Sequence, residues 1–356
     1  MTSTEPTRLS VRSIADLIAA VPYLLGFHPA DSVVVVAMRG KKITFVARGD
    51  VPDPAGGGPT PDAAAAHVAA VVARQEAQSA TVLGYGPPQR VTAVVAAVGA
   101  ALRERGVRVL DSLRVTDGRY WSYTCDNPDC CPPEGTPFDP AASQVAAAAT
   151  VAGHVALPGR DALTRQVAPV DGLAAESMRQ ATTRADERLG MLLERAPSAD
   201  LLGGRALREA GAAAVREAME RHRERGRLTD DETAWLTVLL LHLPVRDHAW
   251  ERIGDDDWHV ELWTEVARRA QPDLVAAPAS LLAFAAWRAG QGALAGVAVE
   301  RALGCDPGYS MALLMADVLR QGVPPATLDG WPEVSPAPPD RRRAPGSRGR
   351  RRRARA

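Results

Sequence analysis

The sequence predicts an α/β layer domain over residues 13–140, followed by an all-α domain of paired helices over residues 141–322. Three observations carry this. β-branched runs of strand length alternate with apolar periods of helix length through the first 140 residues, the pattern of strands joined by crossover helices. From Ala141 onward strand patterns cease and helical periods take over. The length of 356 residues exceeds what one hydrophobic core usually supports, so two domains are the natural partition.

The elements follow in order. Residues 1–12 are polar and are read as a flexible N-terminus. Ser13-Ile14-Ala15-Asp16 has the spacing of a capping box and starts a short helix reaching about Ala20. Residues 33–38 form a continuous β-branched run, a strand buried on both faces, and residues 43–48, after the turn at Gly40-Lys41, pair with it as a hairpin. A Gly/Pro loop spans 52–61. Helix 63–78, strand 80–85, helix 88–105 and strand 107–115 then alternate, which argues for parallel pairing. Asp117-Gly118 is a two-residue hairpin signal. The returning strand, 119–124, places Arg119, Trp121 and Tyr123 on one face and Tyr120, Ser122 and Thr124 on the other. In the helical half the periods predict helices over 141–152, 173–195, 206–226, 231–243, 258–270, 279–289, 293–303 and 309–321, with a second capping box at Thr229-Asp230-Asp231-Glu232.

Near the end of that half, Leu282, Ala283, Gly290, Ala295, Val299, Ala302 and Pro307 occupy the small, apolar and proline positions of a tetratricopeptide repeat, which the segment resembles. The usual aromatic near Ala286 is absent and Val299 is not aromatic. A weaker copy ends at Ala270-Gln271-Pro272, 35 residues earlier, so the resemblance implies tetratricopeptide-like helix pairs over 229–321.

Tyr123-Thr124-Cys125-Asp126-Asn127-Pro128-Asp129-Cys130-Cys131-Pro132-Pro133-Glu134-Gly135 gathers three of the four cysteines into seven residues. Together with Gly26-Phe27-His28-Pro29-Ala30-Asp31-Ser32-Val33, it resembles an actinobacterial family known as a domain of unknown function, number forty-one ninety-two, over nearly the whole chain except its two ends. The resemblance implies an architecture and no activity. Cys125, Cys130 and Cys131 are spaced C-x4-C-C, and structural zinc needs four ligands. Asp126, Asp129, His28, His154 and Cys305 are the available fourth donors. The alternatives are a loop disulfide between Cys125 and either neighbour, reduced packed thiols, or redox sensing.

A second set of candidates lies at the strand ends, where open α/β sheets place ligand crevices: Arg48, Asp50 and Tyr85, the last within Gly84-Tyr85-Gly86 before a helix. Pro87-Pro88 removes two amide donors there. His28 beside Asp31 is either an acid/base or ligand group, or an exposed residue next to a capped turn. His222, His242, His248 and His259 are read as residues of solvated helix faces, and Asp255-Asp256-Asp257 as an acidic helix start. Neither an H-e-x-x-H zinc spacing nor a G-x-S-x-G elbow occurs.

Formal charge is zero, yet nine arginines and no acid lie from Arg341 onward, leaving residues 1–340 nine charges negative. The Pro/Arg-rich stretch 323–356 is read as a disordered tail able to meet an anionic partner. Apolar residues make up 46% of the chain but aromatics only 4%, which disfavours a flavin or haem pocket. No apolar run reaches the roughly 18 residues of a membrane span, and the chain is read as cytoplasmic. The leading functional expectation is a non-enzymatic adaptor or regulator that binds a protein partner through the helical domain. One alternative is a small-molecule or nucleotide-binding enzyme or sensor at the strand ends, with the cysteine loop as metal site or lid. Another is a nucleic-acid-associated protein acting through the arginine tail.

Overall fold

The computed structural model describes residues 11–52, 60–197, 200 and 203–328. The expected flexible start, apart from Val11 and Arg12, most of the Gly/Pro loop and the arginine tail lie outside the described residues.

A six-stranded mixed sheet organises the N-terminal half. Its strands are β1 (Ser32–Arg39), β2 (Lys42–Asp50), β3 (Ser79–Tyr85), β4 (Arg108–Thr116), β5 (Arg119–Ser122) and β6 (Thr136–Pro137), in the spatial order β2-β1-β3-β4-β5-β6. The hairpin expected between the first two strands forms, as does the turn at Asp117-Gly118, where both residues have positive φ. The expected parallel pairing forms between β3 and β4 but needs correcting at β1, which runs antiparallel to β3 as well as to its hairpin partner β2. The physical reason is that β1 is inserted between strands linked by a crossover helix. The α2 helix (Pro61–Arg74) carries the chain from β2 past β1 to β3, a split βαβ unit, and α3 (Pro88–Glu104) carries it from β3 to β4.

Strand alternation sorts the core into two layers. Val33, Val35, Ala37, Ala80 and Val82 face α2 and α3 and pack against Ala65, Ala69, Val91 and Val95. Val34, Val36, Leu83 and Leu113 face α1 (Ile14–Leu25) and pack against Leu17, Ile18 and Val21. α1 runs past the expected end at Ala20 and through Pro22, which is buried within it, to a left-handed cap at Gly26. Burial of residues 17–22 against the sheet outweighs the amide donor that the proline lacks.

The helical half contains α4 (Gln144–Val151), α5 (Arg160–Gln166), α6 (Gly172–Glu194), α7 (Gly204–Arg223), α8 (Asp230–Leu239), α9 (Leu243–Trp250), α10 (Asp257–Arg269), α11 (Ala276–Arg288), α12 (Gly292–Cys305) and α13 (Ser310–Arg320). Every residue of α11 from Ala276 to Trp287 is buried, which makes it the axis of this half. Besides the packing of α1 on α4, two sets of hydrogen bonds tie the halves together. Phe27, 2% exposed, packs into the helical core, while the amides of His28 and Leu157 donate to the carbonyls of Leu157 and Gly26, both at 2.9 Å. At the far end, Arg74 Nη2 donates to the Gln321 carbonyl at 3.0 Å and Gln75 Nε2 to that of Gly322 at 2.6 Å. The Trp287 indole then donates to the carbonyl of Val323 at 2.8 Å, so the segment read as the start of the tail packs onto α11 before a 3-10 turn over Pro325–Leu328.

Candidate functional site

Strand register assembles the first group of candidates. Ser32 at the start of β1 pairs with Asp50 on one side and Tyr85 on the other, and two residues along, Val34 pairs with Arg48. Cross-strand partners project to the same face, so Ser32, Arg48, Asp50 and Tyr85 share the α1 face at one end of the sheet. Arg48 Nη2 lies 2.6 Å from Asp50 Oδ1, and its guanidinium sits 5.8 Å from the Phe27 ring centroid. Ser32 Oγ, Arg48 Nε and the Tyr85 hydroxyl are buried without a protein hydrogen-bond partner among the described residues. Burial pushes the Tyr85 phenol well above its ordinary range, so it stays neutral and serves as a hydrogen-bonding group.

The structure brings Arg48, Asp50 and Tyr85 together as expected and leaves His28 outside. His28 is exposed and is engaged through its backbone amide. Asp31 is exposed with a φ of 42°, and its carbonyl accepts the Val51 amide at 3.0 Å, which aligns the start of β1 with the end of β2. Ser32 is the residue the sequence reading passed over. Its signal was its place between Asp31 and a fully apolar strand, where a hydroxyl must enter the buried layer.

The cysteine loop lies along the far edge of the sheet, between β5 and β6. It leaves β5 beside Asp111, whose Oδ1 accepts from Ser122 Oγ at 2.7 Å and Thr124 Oγ1 at 2.6 Å. Asp111 pairs with Thr81, four residues and about 13 Å of strand before Tyr85. Thr92 on α3 bonds the Tyr123 hydroxyl at 2.6 Å, and the Trp121 indole donates to the Pro133 carbonyl at 3.0 Å. Arg114 stacks 3.6 Å from the Trp121 ring centroid. Within this frame Cys125 Sγ lies 3.0 Å from Cys130 Sγ, Cys130 Sγ lies 3.6 Å from Cys131 Sγ, and all three sulfurs fall within 4.8 Å of one another. The cysteines are free thiols. Hydrogen bonds from Cys130 and Cys131 hold the Cys125 thiol below its ordinary value, while the hydrogen bond with Cys125 is the main cause that pushes Cys131 up to about 12. Of the fourth donors weighed from sequence (Asp126, Asp129, His28, His154 and Cys305), none joins the three sulfurs at that distance.

His259 departs from its reading as a solvated residue. It is buried at 4% exposure and stacked on Trp258 with ring centroids 3.5 Å apart, because α10 turns that face inward with Val260 and Trp263.

A family model described as Domain of unknown function (DUF4192) matches residues 15–326. No curated protein and no solved structure matches the chain.

Proposed function

We propose, for a chain that belongs to the DUF4192 family, the role of a non-enzymatic adaptor or regulator whose helical half binds a protein partner. The tetratricopeptide-like reading draws support from two hydrogen bonds of identical offset. Gln291 Nε2 donates to Asp257 Oδ1 at 3.1 Å and Arg301 Nη2 to the Ala267 carbonyl at 2.8 Å, each spanning 34 residues, so long side chains of α12 and its N-cap reach α10 at one repeat length. In that reading α10 with α11 and α12 with α13 are successive helix pairs. Since α11 is buried on every side, the partner surface falls at the end of the helices where α10 turns into α11 and α12 into α13.

The observation that carries the proposal is an apolar cleft of about 100 Å³ at that end, lined among others by Leu240, Leu241, Leu274 and Tyr309. Leu241 and Leu243 are each 56% exposed beside it, and Leu313, one helical turn beyond Tyr309, is 48% exposed. Exposed Asp273 and Asp306 also line the cleft, which favours an apolar segment flanked by basic residues. A photo-crosslinking residue placed at Leu313 of the full chain in cells is expected to give a discrete protein adduct, reduced at least tenfold by Leu241→Glu. Adducts indistinguishable from those of the same probe at Leu193 would count against the proposal.

A second reading rests on the three converging thiols. They suit a thiophilic ion of the zinc class, which supports reading the sheet-edge loop as a metal site.

A further inference from the structure

We propose that the cysteine loop holds one zinc-class ion on Cys125, Cys130 and Cys131 and keeps its fourth coordination position open to a donor from outside the chain. The inference rests on the metal reading of the loop and adds to it the coordination number and the exchangeable position.

The sulfur spacing fits. Tetrahedral zinc with bonds of about 2.3 Å sets its sulfurs about 3.8 Å apart. The loop presents separations of 3.0 Å and 3.6 Å, with none above 4.8 Å, so each sulfur needs to move by about 1 Å or less. The backbone is already shaped for this. The Asn127 carbonyl accepts the amides of Cys131 at 2.8 Å and Cys130 at 3.3 Å, and its side-chain oxygen takes the Asp129 amide at 3.0 Å. That turn aims Cys130 and Cys131 back at Cys125.

The loop is pinned at both ends, to α3 and to β5. Tyr123 is held on α3, and Arg119 Nη1 donates to the Gly135 carbonyl at 2.7 Å. Gly135 has a φ of 82° and lies so close to Trp121 that a Cβ would come within 2.4 Å of the ring. These contacts involve no cysteine, so the two ends of the loop are held without an ion. This is unlike small zinc domains, which fold only when loaded.

Three donors leave tetrahedral zinc one ligand short, the arrangement of sites that exchange a ligand rather than of closed structural ones. Cys130 is exposed, so an incoming imidazole, thiolate or carboxylate has access. The neighbouring Asp126 and Asp129 are exposed and stand outside the sulfur group.

The test titrates the full, reduced chain with Co²⁺ as a spectroscopic stand-in and then displaces it with Zn²⁺. One equivalent is expected to give a thiolate-to-cobalt charge-transfer band. Cys125→Ser, Cys130→Ser or Cys131→Ser should each weaken binding at least tenfold, and Cys305→Ser should leave it unchanged. Added imidazole is expected to shift the visible cobalt bands. Absence of a thiolate band overturns both the metal reading and this inference. A thiolate band that imidazole does not move, but that Asp126→Asn or Asp129→Asn does, shows a site closed by the chain itself and overturns the open position alone.

Discussion

His259 shows what a single buried residue does to the whole chain. Burial pulls its imidazole down from 6.5 to about 4, with Asp256 and Asp255 opposing the shift. The unfolded chain takes up this proton near pH 6.5 while the folded chain resists it until near pH 4, so the stabilising contribution is complete above 6.5 and lost as pH falls toward 4. Discounted for solvent reaching the ring, the loss is about 2 kcal/mol. Urea unfolding at pH 7 and pH 4.5 is expected to show this drop, and His259→Gln to lose most of it; an equal pH response in the variant would remove His259 as its source. Sequence alone placed this residue on a solvated face because a helical period gives spacing without orientation. The clue was its position next to Val260 and one turn before Trp263, both buried on α10. Arg48, Asp50 and Tyr85 were legible because strand ends converge by topology, and the cysteines because three thiols lie within seven residues. An exposed His28 was one of the two readings the sequence offered; the backbone bridge from Gly26 to Leu157 was not legible, since it is a contact between distant segments.

The start of α8 is the best-specified element boundary in the chain. Thr229 Oγ1 accepts the Glu232 amide at 3.2 Å, and the Glu232 carboxylate accepts the Thr229 amide at 2.8 Å and Arg221 Nη1 at 2.8 Å. Thr229→Ala removes the first of these bonds, and a loss of about 1 kcal/mol in urea unfolding is expected. A change within a few tenths would mean that Glu232 and Arg221 hold the helix start unaided. Such caps, the Asp117-Gly118 hairpin and most strand limits were readable because their chemistry is local. What local chemistry does not encode was missed. Residues 231–243 read as one helix because residues 238–241 form an unbroken apolar run, which hides the turn before α9. The seven-residue α5 is too short for a helical period to register. The antiparallel β1–β3 pairing joins strands separated by β2 and α2, so no turn signal announces it.

At the scale of the whole molecule, the α/β and helical halves are joined at Phe27–Leu157 and at the contacts of Arg74 and Gln75 with Gln321 and Gly322, which span 247 residues. The division into a mixed-sheet half and a helical half was legible from where the strand patterns stop. The joints were not, because their acceptors are backbone carbonyls that any residue supplies. They leave the cysteine loop at the sheet edge and the apolar cleft where α10 turns into α11 on separate elements, so a metal at one and a protein segment at the other are independent claims. The most direct measurement of the adaptor account takes the segment captured at Leu313, prepares it as a labelled peptide, and follows its binding to the full chain by fluorescence anisotropy. The account predicts saturable one-to-one binding, weakened at least tenfold by either Leu241→Glu or Leu313→Glu and unaffected by Cys130→Ser. Binding unchanged by both leucine substitutions would contradict it.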